Sequence, residues 1–225
     1  MRFNTPKIVG ATNLPFTPEQ LNSCPNGLFR ATFKEAIELM PELTELFDSA
    51  WRMLRREGHI PQDFEIDIKV HMLMPDQFPC IPNWHADNVP RCPDTGKTSY
   101  SGAEEAYVSG EPPMYLWVSG TPCTRFLARP IQKKGWTPDS HGELADFIRK
   151  VEADTPDNQA VTCLIKPQTF YSMDRLTPHQ GTAAQEHTWR VFMRLTHKDC
   201  LPDRPKTTVL RRHSQVYLDS ANFGW

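Results

Sequence analysis

His85 and Asp87 stand two residues apart in Pro82-Asn83-Trp84-His85-Ala86-Asp87. An extended backbone repeats its side-chain direction every second residue, so a strand over 81–86 sends both to one face, close enough to grip one divalent ion. A third ligand is then required, and His179, which follows Pro178, can supply it from a neighbouring strand. Arg190 comes eleven residues later, beyond the turn-like Gln180-Gly181-Thr182-Ala183-Ala184, which places it on the next antiparallel strand. Without a metal the same residues would be a hydrogen-bonded His85–Asp87 pair, a His179 in a surface loop and an Arg190 in an ordinary salt bridge.

The stretch 188–197 alternates, with Val191, Met193 and Leu195 on one face and Arg190, Phe192, Arg194 and Thr196 on the other. If the second face points inward, an unpaired guanidinium is costly, and a carboxylate taken in two parallel bonds is its best geometric match. Arg194 is expected to pair with an acidic side chain. A rival grouping, Cys80, His85, Asp87 and Cys92, lies within thirteen residues and has zinc-binding atoms, but lacks the paired close spacings of structural zinc sites.

The order His-x-Asp, distant His, then Arg about ten residues on resembles the Fe(II)/2-oxoglutarate-dependent oxygenases. Two imidazoles and a carboxylate are the facial triad of non-haem Fe(II) enzymes and leave coordination positions open. The resemblance implies a double-stranded β-helix (jelly roll) and Fe(II) on His85, Asp87 and His179. It implies 2-oxoglutarate and O2 as cosubstrates, with succinate and CO2 released. Arg190 would clamp the far carboxylate of 2-oxoglutarate, while Tyr171, on the strand leading to His179, either offers the cosubstrate a phenol or is an aromatic packed in the core. Many members carry Arg-x-Ser on this strand, whereas Phe192 stands at the second position here, so the hydroxyl contact is lacking. Asp87 speaks against halogenation, because halogenases of this type lack the carboxylate ligand. Hydroxylation of an unidentified substrate, with a small molecule favoured, is the expected outcome. The alternatives are a cupin-like metal-binding protein without oxygenase activity and a jelly roll that binds no metal.

Other elements must carry these residues. Thr32, with Glu35 three residues on, caps a helix running to Met40, and Pro41 restarts a helical pattern through Leu43, Leu46, Phe47, Ala50, Trp51 and Leu54 to Gly58. Glu65-Ile66-Asp67-Ile68-Lys69-Val70-His71-Met72 then alternates with period two, which predicts a half-buried strand with His71 on its solvated or cavity-facing side. Further strands are expected at 81–86, 114–119, 123–128, 160–166, 169–173, 177–180, 188–197 and 211–218, with a helix over 142–153. Such a series of short strands indicates a mainly β fold, a sandwich or jelly roll. One domain over 1–225 is expected: an N-terminal arm and helices over 1–60, irregular to about residue 30, then a barrel over 61–225. Insertions fall at 88–113 and 129–158, the first placed to close over the site as a lid. Trp84 points away from both ligands, into the core. His187 lies too close to Arg190 to be the distal ligand, and His59, His141, His197 and His213 have no ligand partner at useful spacing.

The 225 residues are 39% apolar, enough for one core, and the net charge of −2 gives no overall field that would draw nucleic acid or an anionic membrane. No apolar run approaches the roughly 20 residues of a membrane span, and the opening residues lack the apolar core of a signal peptide, so a cytoplasmic protein is expected. The six cysteines show no framework spacing and are expected as free thiols. Oligomeric state is not legible.

Overall fold

The computed structural model describes residues 1–121, 123–156, 159–201, 207–212 and 216–218. The elements are β1 (Arg2–Phe3), β2 (Lys7–Ala11), α1 (Pro18–Ser23), β3 (Gly27–Ala31), α2 (Phe33–Leu39), α3 (Thr44–Arg56), β4 (Phe64–Leu73), α4 (Tyr100–Val108), β5 (Met114–Val118), β6 (Thr124–Leu127), β7 (Ile131–Gln132), α5 (His141–Ala153), β8 (Thr162–Leu164), β9 (Thr169–Met173), β10 (His179–Gly181), β11 (Thr188–His197) and β12 (Val209–Arg211). The fold is mainly β, and its sheets are antiparallel. Seven strands form a large sheet in the order β12-β3-β4-β11-β5-β9-β2, and three form a small one, β10-β6-β8.

The N-terminal helices form as their sequence requires. The Thr32 hydroxyl accepts from the Glu35 N–H while the Glu35 carboxylate accepts from the Thr32 N–H, closing the capping box of α2. Pro41 ends that helix, and α3 buries Leu46, Phe47, Ala50, Met53 and Leu54. These meet Ile66, Ile68 and Val70 of β4, Val191, Met193 and Leu195 of β11, and Tyr115 and Trp117 of β5 in one core. The apolar face of the large sheet is therefore its helix-covered outer face. Its other face meets the small sheet through Leu116, Val118, Phe126, Tyr171 and Met173.

That arrangement inverts the simplest view of β4. Its polar residues Asp67 and Lys69 line the interior cavity, and His71 on the same face is wholly buried, with neither ring nitrogen hydrogen-bonded to a described residue. A solvated His71 is thereby excluded. Residues 1–30 are also more regular than expected, since β1, β2 and β3 all form there, β2 closing one edge of the large sheet. Edge and near-edge positions tolerate the prolines around them, which is why a Pro-rich stretch can still yield strands.

The segment 81–86 is not a strand. Pro79 and Pro82 remove two donors, and what survives is an isolated bridge between His85 and His179 together with a bond from the Gly181 N–H to the Ile81 carbonyl at 2.8 Å. The insertion 88–113 is not wholly irregular either, for α4 occupies 100–108, capped by the Ser99 hydroxyl. Of the strand expected over 211–218, residues 213–215 lie outside the described residues, as does His213; β12 ends at Arg211 and Tyr217 bridges to Phe78. No helix among the described residues is long and apolar enough to cross a membrane.

Candidate metal centre

His85 and His179 are fastened to each other by their own backbones. The His85 N–H donates to the His179 carbonyl at 3.0 Å and the His179 N–H returns to the His85 carbonyl at 2.8 Å. Residues paired in this way across an antiparallel ladder project to the same side, so the two rings meet, with centroids 4.3 Å apart. The alternation expected of a strand persists locally. Trp84 and Ala86 enter a core built with α4 and α5, whereas His85 and Asp87 turn to the opposite side. One ligand atom from each of His85, Asp87 and His179 can lie within 4.8 Å of the others.

The rings are also set in a ligating tautomer. His85 Nδ1 lies 2.9 Å from the Asn83 carbonyl and His179 Nδ1 lies 3.4 Å from the Thr177 carbonyl, in each case two residues earlier. A carbonyl can only accept, so Nδ1 carries the proton and Nε2 keeps its lone pair for a metal. Burial, and then the neighbouring His179, push the His85 pKa down to about 3, which keeps the ring neutral. Burial alone would raise the Asp87 carboxyl, but Arg194, His179 and His85 together outweigh it and hold the carboxylate well below its usual range. Neutral imidazoles and an ionised carboxylate are the donor forms that a divalent ion needs.

Arg194 fixes that carboxylate. Its Nη1 donates to Asp87 Oδ2 at 2.7 Å, while Nη2 and Nε donate to Asp67 Oδ2 at 2.5 and 3.2 Å. The expectation that Arg194 pairs with an acid holds, with two acids in place of one. The triad opens onto a cavity of about 170 Å3 whose walls include Lys69, Cys80, Thr124, Phe192 and Arg194.

Arg190 is not among the cavity-lining residues; it is 1% exposed, with Nη2 donating to Thr124 Oγ1 at 3.1 Å while Nε and Nη1 find no partner among the described residues. Tyr171 is buried and stacked on Phe126, and its hydroxyl oxygen accepts from the Lys166 N–H at 2.8 Å. Its remaining hydrogen-bonding capacity is that of a donor. Cys80 shares the cavity wall but, like Cys92, is not among the grouped ligands, and His187 is exposed on the turn before β11.

Ligand spacing could not reveal His141. It begins α5, and its Nδ1 is hydrogen-bonded with the Tyr100 hydroxyl of α4 at 2.6 Å, with its ring centroid 6.2 Å from that of His85. Thus each of the two insertions contributes one residue of a dyad beside the triad. Lys69 was equally hidden, because period two marks two faces of a strand without saying which of them is inside.

No family model matches the sequence, and no curated protein matches it. Among solved structures, EvdO2 from Micromonospora carbonacea var. aurantiaca matches in two crystal structures, one of them complexed with 2-oxoglutarate. In each case 13% of residues are identical, the TM-score is 0.37, and the match covers 85% of this chain and 71% of that chain.

Proposed function

We propose that this chain is an Fe(II)/2-oxoglutarate-dependent dioxygenase built on a double-stranded β-helix. Support for the fold comes from the order in which strands are laid down. Sheet pairing runs β4-β11-β5-β9 on one side, and the His85 bridge followed by β10-β6-β8 on the other. Along the chain, β4 is followed by the bridge at 85, β5 by β6 and β8, and β9 by β10 and β11, crossing repeatedly between sheets as an eight-stranded jelly roll does.

The observation that carries the function is the prepared His85–Asp87–His179 face: two imidazoles with directed Nε2 atoms, that of His85 held neutral, and an ionised carboxylate. A face of three ligands leaves the remaining positions of an octahedral ion open, which favours Fe(II) with a chelating cosubstrate over a closed structural site. Bound there, Fe(II) would supply oxygen activation, driven by oxidative decarboxylation of the cosubstrate. The protein's part is to hold the ion's three fixed ligands, to orient the oxoacid and to keep water out.

Cavity size supports a small occupant. A cavity near 150 Å3 accommodates benzene, so about 170 Å3 suits a small-molecule occupant. Beyond the cavity wall, Arg190 keeps two guanidinium nitrogens unsatisfied among the described residues, for which a carboxylate is the best geometric match.

The test is titration of 2-oxoglutarate into the anaerobic Fe(II) protein, following the charge-transfer absorption that chelation produces. Hydrogen bonds to charged groups contribute about 1.5–3 kcal/mol, so Arg190→Ala should bind roughly ten- to a hundred-fold more weakly while retaining metal. If wild type binds metal but no 2-oxoglutarate, the chain is a cupin-like metal protein instead.

A further inference from the structure

The pair that the two insertions form beside the triad has a direction. Tyr100 is 1% exposed, and the side-chain partner of its hydroxyl among the described residues is His141 Nδ1 at 2.6 Å. A buried phenol proton needs an acceptor. Hydrogen bonding from the Ala86 backbone favours the charged form of this phenol, as an N–H does and a carbonyl does not, so Ala86 does not take the proton. It goes to Nδ1, and the His141 ring therefore carries its own proton on Nε2. The ring is only half-buried, and that Nε2–H meets no acceptor among the described residues.

His141 neighbours all three ligands. Its ring stands edge-on to that of His85, and both Asp87 and His179 are near enough to act on its charge. It does not line the cavity of about 170 Å3, so it flanks the triad from another side. Arg91 approaches the same ring and also acts on its charge. It follows Asp87 by four residues and bridges Thr98, just before Tyr100 opens α4. Arg91 Nη1 donates to the Gly96 carbonyl at 2.9 Å, but the side chain is exposed and has no carboxylate partner among the described residues. Asp87, the acid nearest to hand, is already bonded to Arg194.

Taking the oxygenase reading as its premise, we propose that His141, oriented by Tyr100, is a substrate-binding residue, and that with Arg91 it takes an oxyanion of the molecule to be oxidised, a carboxylate or a phosphate. The imidazole offers one directed N–H and the guanidinium adds charge and further donors, a combination that suits an acceptor carrying negative charge. An anchor at this flank fixes the rest of the molecule relative to the ion.

The experiment uses the full chain loaded with Co(II) and saturated with 2-oxoglutarate, so that the cosubstrate fills its own site. Inorganic phosphate and acetate are the probes, and the relaxation that Co(II) imposes on their phosphorus and methyl-proton signals reads both affinity and closeness to the metal. Wild type should show saturable relaxation, and the tighter probe identifies the oxyanion. His141→Leu and Arg91→Met should each weaken that binding by roughly ten-fold or more, while His141→Gln, which keeps an N–H donor, should retain most of it. Metal content and 2-oxoglutarate affinity should stay as in wild type. Absence of saturable relaxation with either probe overturns the proposal. So does binding that is unchanged in His141→Leu, which would mark an anion held by the metal alone. Loss of metal or of 2-oxoglutarate in both His141 variants would mark a structural role and overturns it too. If wild type binds metal but no 2-oxoglutarate, the oxygenase reading itself falls, an outcome seen before any probe is added.

Discussion

Asp87→Ala separates the metal role of the triad from its structural role, because the carboxylate has two sets of partners. It stands 3.7 Å from His179 Nε2 and accepts one bond from Arg194, whose other two bonds go to Asp67. Removing it therefore costs Arg194 one charge-assisted bond of three. Asp87 and Arg194 are about one-fifth exposed, and solvent screening reduces the usual 1.5–3 kcal/mol to about 1–2 kcal/mol. In a chain of this size that is a fall in Tm of roughly 2–8 °C, with the fold retained. The effect on metal is larger. Loss of a partner outside the coordination sphere typically weakens a site ten- to a hundred-fold, and loss of a ligand exceeds that, so affinity should drop at least about a hundred-fold. Metal content after equilibrium dialysis at fixed free Fe(II) or Co(II), set beside circular-dichroism melts, measures both quantities. Unchanged metal content would refute the ligand assignment. Unfolding of the variant at room temperature would refute the energetic argument, showing Asp87 to be chiefly an anchor for Arg194.

Two further outcomes concern the walls of the site. Burial, then Arg190 and Lys69, hold the His71 pKa well below 6.5, so the ring is neutral in the fold but takes up a proton in the unfolded chain. Its contribution is complete above pH 6.5 and is lost as the pH falls, by about 1.4 kcal/mol per unit; urea melts of metal-free protein between pH 7.5 and 5 should show a steeper acid loss in wild type than in His71→Leu, by about 2 kcal/mol, and parallel profiles would contradict a buried neutral ring. A Cβ on Gly181 would lie 2.6 Å from the Cys80 carbonyl oxygen and 3.0 Å from its sulfur, so Gly181→Ala should cost about 1–3 kcal/mol by chemical denaturation and, by moving the Cys80 wall, weaken cosubstrate binding; a variant as stable as wild type would show that this loop yields freely.

The sequence was informative wherever a local rule acts alone. The Thr32–Glu35 capping box, the restart at Pro41 and the alternation of β11 follow from contacts within a few residues, and each has its counterpart in the structure. The meeting of His85, Asp87 and His179 was legible for a related reason: spacing of two and an isolated distant histidine left few ways to group them. The route was misjudged, since a prolyl loop with one bridge presents the ligands where a full strand was expected. What could not be read depends on which layer covers which face. On β4, apolar Ile66, Ile68 and Val70 turn to the helices, so charged Asp67 and Lys69 face the interior. The Tyr100–His141 contact joins residues 41 apart in sequence from two insertions, and no periodicity links them.

Arg194 shows why such a charged interior can persist. A lone guanidinium between two sheets would be costly, yet here it binds one acid from the neighbouring strand β4 and one from the ligand loop, so each charge in the trio has a partner. In doing so it ties the Asp87 carboxylate to the large sheet, while the His85–His179 bridge ties the two imidazoles to the small one. All three side chains thus rise from the small-sheet side, and Arg194 fastens Asp87 across to the other. The same trio consumes both acids that line the cavity and leaves Lys69 without a carboxylate among the described residues, two cations facing two anions before any ion arrives. A divalent metal would make the cavity positive. Its arrival should therefore strengthen the binding of a dicarboxylate, and the dicarboxylate, by reciprocity of linked equilibria, should tighten the hold on the metal.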